Sequence, residues 1–526
     1  MSGSAQRRVV VVGGGVAGLS TAAVLARHGR RVVLLESRDR LGGRADTWDT
    51  GGFRFDTGPS WLLMRSVFDR FYEGLGTTTA HELAPVRLDP AFRVFFEAYD
   101  APLTVPGRAA AVAALFEEFE PGAGRRLEAY LDSARRTAGL AEEHLLYNPG
   151  ASAADFVSRA TLLAAPRLAN LLGTSLHRFV ARRFRDERLR QILGYPAVFL
   201  GTSPYRAPAM YHLMSAYDLE EGVFYPRGGF GTVVSSIAEL AVGHGAEVRT
   251  GARVTQILVE GGRATGVRYR TPDGVEHTEP ADDVVSTADR HHTETALLGP
   301  GARSYPESWW ARRQSGPGAV LVMLGVRGRL DTLAHHSLFF ASDWAAGFDA
   351  IFGAAPHVPD PASLYVCRPS ATDPDVAPAG HENLFVLVPV PADPGLGSGG
   401  TDGVGDAAVE AVADRAIAQI AAWAGIPDLA RRVVVRRTIG PGDFARDLSA
   451  WRGGMLGLGH TLRQSAILRP QTRSRRVPNL FHAGASSAPG IGLPMCLISA
   501  ELVRRSMDGE RGAAPPRALL DAREPA

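Results

Sequence analysis

The stretch Val9-Val10-Val11-Val12-Gly13-Gly14-Gly15-Val16-Ala17-Gly18 constrains the fold of this chain more than any other segment. Four β-branched residues in a row are too few for a helix and read as a buried parallel strand. Gly13, Gly15 and Gly18 follow it at the spacing of a dinucleotide-binding turn. Gly13 permits the tight turn, Gly15 lets backbone N–H groups approach a pyrophosphate, and Gly18 lets the next helix lie close to the strand. That helix is expected over 17–28 with Gly29 as its C-cap, its N-terminal amides and dipole turned toward the phosphates. A second strand, Val32-Val33-Leu34-Leu35, runs into Glu36. A carboxylate there accepts hydrogen bonds from ribose hydroxyls and repels a 2′-phosphate, which argues against NADP.

Composition frames this motif. The chain has 526 residues, 45% of them hydrophobic and 21% charged, which suits a globular protein with an ample core. A net charge of +2 offers no case for nucleic acid. All 57 basic residues are Arg, a uniformity that reads as genome-wide bias, so single arginines are not taken as selected. Two cysteines, Cys367 and Cys496, exclude a disulfide framework or a Cys-rich metal site. Residues 1–8 lack the apolar stretch of a signal peptide, and no run approaches the roughly 20 apolar residues of a spanning helix. The expected setting is the cytoplasm.

Along the chain the character changes several times. From about Arg108 to Phe199 helical periodicity dominates and Gly becomes sparse. A strand–turn–helix unit returns around Phe224-Tyr225-Pro226-Arg227-Gly228-Gly229, and 254–259 and 265–269 read as a hairpin about Gly261-Gly262. The last strand, Leu480-Phe481-His482, leads into Pro489-Gly490-Ile491-Gly492 and a closing helix. The expected class is α/β: a discontinuous Rossmann-like dinucleotide-binding domain with an inserted α+β substrate domain. The dinucleotide-binding parts are 1–100, 223–294 and 466–507. The insertions are a helical, membrane-associating part at 101–222 and a substrate domain at 295–465, with a disordered tail at 508–526.

Arg40-Leu41-Gly42-Gly43-Arg44 resembles the RxGGR pattern of the flavin-dependent amine oxidase and carotenoid desaturase superfamily. Further blocks resemble the bacterial-type phytoene desaturases: Phe55-Asp56-Thr57-Gly58-Pro59, Phe224 to Gly229, Leu333-Ala334-His335-His336, Leu387 to Pro391, and Gly484 through Pro489-Gly490-Ile491-Gly492-Leu493-Pro494. The resemblance implies FAD as cofactor, held by Gly13, Gly15, Gly18, Glu36, Arg40, Gly43, Arg44, Asp56, Gly58, Pro59, Val254, Gly484, Pro489, Gly490 and Gly492. Ser487 stands where that family has Thr, which keeps the hydroxyl but touches on substrate choice.

The implied reaction is desaturation of phytoene, stepwise toward lycopene, with a hydride passing to flavin N5 and a proton leaving the adjacent carbon. Such chemistry asks for an apolar tunnel, a well-placed flavin and a modest base. Asp132 and Arg135, at i,i+3 in a Y-L-D-x-x-R stretch similar to the family's, are the catalytic candidates, although a surface or structural ion pair is the favoured reading of the two. Asp56 reads either as a flavin neighbour or as a partner of the turn at Gly58. His335 and His336 could bind a metal, but no third ligand sits at a sensible spacing, so no metal is expected. The apolar 162–172 stretch, flanked by Arg159, Arg178, Arg182 and Arg183, reads either as a helix docking on anionic lipid or as a core-facing helix. No second glycine fingerprint follows a strand, so oxygen or a quinone is the expected electron acceptor. The alternatives are a desaturase or isomerase of a C30 or hydroxylated carotenoid, a flavin amine oxidase, and a prenyl-protein-binding module resembling Rab GDP-dissociation inhibitors.

Overall fold

The computed structural model describes residues 6–97, 99–150, 153–465, 468–510 and 512. Arg8–Val12 sits in the middle of a five-stranded parallel sheet. Arg31–Leu35 and Glu247–Arg249 follow on one side, and Asp283–Ser286 and Leu480–His482 on the other. Both faces of the sheet are covered, which is why Val9–Val12 and Val32–Leu35 in its centre are continuous apolar runs. Val9, Val11, Val32 and Leu34 pack with the helix Val16–Arg27 in the largest core. Val10, Val12, Val33 and Leu35 pack on the opposite face against Val254, Ile257 and Val267. Those three come from a three-stranded antiparallel sheet of Arg253–Glu260, Arg263–Arg270 and Glu276–Pro280. The helix bounds and the hairpin expected from sequence agree with the structure to within a few residues.

A second, seven-stranded sheet lies beside this domain, in the order 433–439, 318–327, 381–390, 364–367, 336–340, 92–96 and 103–105. The helix Ala407–Trp423 covers one face, where Val320, Val322 and Leu324 meet Val409, Val412 and Ala413. On the other face Leu321 and Met323 join the core shared with the nucleotide-type domain. The break expected at 100/101 therefore falls earlier. Phe92–Phe96 pairs in parallel with His336–Phe340 and belongs to the second sheet. That pairing joins segments far apart in the chain, and nothing local in residues 92–96 announces it.

Helices dominate between 109 and 221, among them Ala109–Phe119, Ala123–Ala141, Ala165–Gly173 and Glu187–Gly194. Leu171 is buried against the core, whereas Val157, Leu162 and Leu163 are 59%, 61% and 76% exposed. No helix among the described residues is long and apolar enough to cross a membrane. Of the expected disordered tail, residue 511 and residues 513–526 lie outside the described residues. Asp508 and Glu510, by contrast, are tied by ion pairs to Arg30, Arg504 and Arg505.

Candidate functional site

A cavity of about 600 Å³ runs between the two sheets and the helical part. Its first end is built by the glycine turn. Gly13 has φ of 103° and donates its N–H to the Leu35 carbonyl at 2.8 Å, which ties the turn to the neighbouring strand. Gly18 makes a close approach: a Cβ there would lie 1.9 Å from the Gly13 carbonyl oxygen. Glu36 is buried, with Oε2 accepting the Gly14 N–H at 2.6 Å and Oε1 the Arg38 N–H at 2.8 Å. Arg44 is partly buried, and desolvation lowers its pKa from the ordinary arginine value. Its Nε and Nη2 have no hydrogen-bond partner among the described residues.

A buried guanidinium with free N–H groups, beside a helix N-terminus and a glycine turn, fits an anionic diphosphate. A carboxylate held at the end of the second strand fits a ribose. Gly13, Gly15, Glu36, Gly43, Arg44, Gly58, Pro59, Val254, Gly484, Pro489 and Gly492 all line the cavity. The helix Leu493–Met507 starts at the N-cap Gly492 and turns its first residues toward the same space. These residues fit a flavin dinucleotide along the length of the cavity wall.

Five sequence-derived positions stand elsewhere. Gly18 and Gly490 lie behind the wall, Gly18 against Gly13 and Gly490 against the His460 ring, where a Cβ would come within 2.4 Å. Arg40 is half exposed and donates to Asp46 at 2.8 Å, where Arg38 also pairs, so it braces a loop and does not face the cavity. Asp56 faces neither the cavity nor the turn at Gly58. It caps the helix Phe230–Gly243 by accepting the N–H groups of Phe230 and Gly231 at 2.9 and 3.2 Å, and burial pushes its pKa up to about 6. Ser487 is buried behind the wall, where its hydroxyl accepts from Arg290 at 3.3 Å.

Asp132 and Arg135 correct the catalytic expectation. They form an exposed ion pair at 2.9 Å, and Arg135 is shared with Glu220 at 2.8 Å. Neither lines the cavity, because their face of the helix Ala123–Ala141 points outward while Tyr130, Leu131 and Ala134 point in.

The second end of the cavity is apolar and aromatic. Trp61, Tyr195 and Phe199 form one wall, with ring centroids 5.5–5.9 Å apart around Trp61 and Tyr195. Leu145, Leu146, Phe156 and Met214 form the wall toward the helical part. Two polar groupings interrupt this surface. Tyr195 donates its O–H to Asp218 Oδ2 at 2.8 Å, and burial pushes the Asp218 pKa up to about 7. His460 Nε2 accepts the Ile491 N–H at 3.2 Å, so its Nδ1 carries the proton and donates to Tyr211 Oη at 2.7 Å. His460 thereby fastens the 489–492 turn from beneath. Sequence reading missed Tyr195, Asp218, Tyr211 and His460, which carry no motif and meet only in the folded chain.

This fold and cavity define a flavin-type oxidoreductase with a dinucleotide cradle opening into an apolar chamber. Residues 16–503 match the family described as flavin containing amine oxidoreductase. The chain is 41% identical to a carotenoid 3,4-desaturase of Haloarcula japonica, over 95% of this chain and 98% of that one. It is 36% identical to a zeta-carotene-forming phytoene desaturase of Myxococcus xanthus, over 96% and 94%. Among solved structures, an oxidoreductase from Methanosarcina mazei shares the fold with a TM-score of 0.61 at 15% identity, covering 95% of this chain and 100% of that one. Putrescine oxidase bound to putrescine shares it with a TM-score of 0.58 at 15% identity, covering 96% and 98%. The chain belongs to the flavin-containing amine oxidoreductase family and, within it, to the carotenoid desaturases. It is an FAD-dependent oxidoreductase.

Proposed function

We propose that the protein desaturates phytoene stepwise toward lycopene. The observation that carries this reading is the continuity of the cavity, which joins the cradle of Glu36 and Arg44 to a chamber walled by Trp61, Tyr195, Phe199 and Met214. A hydrocarbon without polar groups is held by such a wall through burial alone, at roughly 25 cal/mol for each Å² removed from water. FAD, when bound, supplies the hydride acceptor. Glu36, Arg44 and the glycine turn hold it, and Gly484, Pro489 and Gly492 present the start of the last helix to it.

The carbon next to the hydride donor has to lose a proton, and the chamber offers a route for it. Tyr195 Oη takes the proton as its own passes to Asp218 Oδ2 along the 2.8 Å hydrogen bond. Burial leaves Asp218 titrating near neutrality, where a general base works best.

Substrate reaches the chamber from a membrane surface in this reading. Phe156 lines the wall, and the adjoining Val157, with Leu162 and Leu163, is exposed beside Arg159. Exposed apolar side chains next to basic ones suit peripheral contact with anionic lipid.

A second reading, desaturation of a different carotenoid, is supported by the 41% identity to a relative named a carotenoid 3,4-desaturase. Expression in a phytoene-accumulating host and in a lycopene-accumulating host, with pigments separated by chromatography, tests both. Loss of phytoene supports the first reading. Unchanged phytoene with a new, more conjugated product in the lycopene host moves the assignment to the second. Unchanged pigments in both hosts, with flavin-loaded protein present, overturn both.

A further inference from the structure

Behind the aromatic wall lies a group of side chains that neither the cofactor cradle nor the proton route uses. His336 begins the strand His336–Phe340 and is paired directly with Cys367, the last residue of Leu364–Cys367. His335 precedes it. Ligand atoms of His335, His336 and Cys367 all lie within 4.8 Å of one another. All three residues are buried, at 5%, 0% and 2% exposure. Cys367 is the third ligand that spacing along the chain did not provide, because it reaches the histidines only across the sheet.

Each of the two rings makes a hydrogen bond at Nδ1 and leaves Nε2 without one among the described residues. His336 Nδ1 is 2.7 Å from Tyr365 Oη, whose O–H donates to Ser60 Oγ at 2.8 Å. Nδ1 therefore carries the ring proton, and Nε2 presents a bare lone pair. His335 Nδ1 is likewise engaged, 2.7 Å from Thr372 Oγ1. Both Nε2 atoms are buried with no hydrogen-bond partner among the described residues. An oxygen partner on one ring nitrogen that orients the other toward a metal is the usual arrangement for ligating histidines.

We propose that His335, His336 and Cys367 form a buried three-coordinate site for monovalent copper. Two imidazoles and a thiolate are a soft donor set. One Cu(I) with one thiolate sums to zero charge, so the apolar surroundings are not burdened. Zinc would leave a net positive charge and would ask for a fourth ligand, and the group has no fourth member among the described residues. Binding exchanges the thiol proton of Cys367 for the metal: the S–H bond breaks, a Cu–S bond forms and the proton leaves to solvent. Metal–ligand bonds of about 2.0 Å to nitrogen and 2.3 Å to sulfur require the ligand atoms to close to about 3.5–3.8 Å, an adjustment of roughly 1 Å. The bound ion would stiffen the wall, since Trp61 stacks on His336 with centroids 4.3 Å apart and planes within 10°.

The test titrates the full-length, flavin-loaded, reduced protein with Cu(I) under anaerobic conditions, against a colorimetric Cu(I) chelator. One copper per chain, withdrawn from the chelator, is expected, with X-ray absorption showing two nitrogen and one sulfur neighbours. Cys367→Ser and His336→Gln should each weaken retention at least 100-fold, while Cys496→Ser, which removes the other thiol, should leave it unchanged. Flavin absorbance and unfolding temperature verify that each variant is folded. Should Cys367→Ser not fold, His335→Gln carries the same expectation. No copper held against the chelator, equal binding by the ligand variants, or stoichiometric zinc held in preference to copper would each overturn the proposal. None of these readouts depends on carotenoid turnover, so the desaturation reading stands or falls separately.

Discussion

The Glu36 carboxylate accepts the Gly14 backbone N–H at 2.6 Å, joining the end of the second strand to the middle of the glycine turn. The same group accepts from Arg38 N–H at 2.8 Å, so its position is set by backbone donors before any ligand arrives. Hydrogen bonds to a charged group contribute about 1.5–3 kcal/mol each, so Glu36→Ala should weaken FAD binding about 10- to 100-fold. Fluorescence titration of the apoprotein with FAD measures this, and an unchanged Kd would remove Glu36 from the cofactor site.

Gly18→Ala should be more damaging than its size suggests. The new Cβ would sit 1.9 Å from the Gly13 carbonyl oxygen, so the helix Val16–Arg27 has to move off the strand. Overpacking of this kind costs about 1–3 kcal/mol, and here it also displaces the amides that face the cofactor. Thermal unfolding and flavin content should fall together; a variant that keeps both contradicts the close approach.

Tyr195→Phe and Asp218→Asn test the proton route. Each should lower kcat by about 10²–10⁴-fold while leaving KM and flavin content close to those of the parent. A rise in KM with kcat unchanged would reassign the pair to substrate packing.

Asp218 also predicts a pH dependence of stability. Its pKa is raised from 3.8 to about 7, so the folded state holds a proton that the unfolded state has released. Stability should therefore fall as pH rises from about 4 to about 7 and level off above that. Asp218→Asn keeps an acceptor for Tyr195 but cannot ionise. Relative to the parent it should gain stability across that window, by up to about 4 kcal/mol for a fully buried group. Urea unfolding at pH 5 and pH 8 reads the difference directly, and equal values at both pH would refute it. Asp56, also raised to about 6, acts in the same direction in both proteins and cancels from the comparison.

Leu162→Asp and Leu163→Asp together should reduce co-sedimentation with anionic phospholipid vesicles about tenfold or more, since each removes an exposed apolar contact and adds a negative charge. Flavin content should stay unchanged because neither residue lines the cavity. Vesicle binding that survives the double substitution would place any membrane contact elsewhere.

Local patterns in the chain were enough to read the nucleotide-type domain. The Val9–Val12 run, Gly13, Gly15 and Glu36 lie within one strand–helix–strand unit, where spacing alone brings them together. Gly484 to Gly492 was legible for the same reason, as a strand followed at once by a glycine turn and a helix. Asp132 and Arg135 show the limit of such reading. Their spacing correctly implied an ion pair, but only the packing of Tyr130 and Leu131 inward shows that the pair faces solvent.

The sequence by itself determined the cofactor class, because a pyrophosphate and a ribose are recognised by backbone amides and a carboxylate that neighbouring residues position. The tertiary structure alone decided what surrounds that cofactor. Tyr195 meets Asp218, His460 meets Ile491, and Cys367 meets His336 through contacts between segments distant in the chain or across a sheet. Strand pairing and burial, which no local spacing encodes, select those partners.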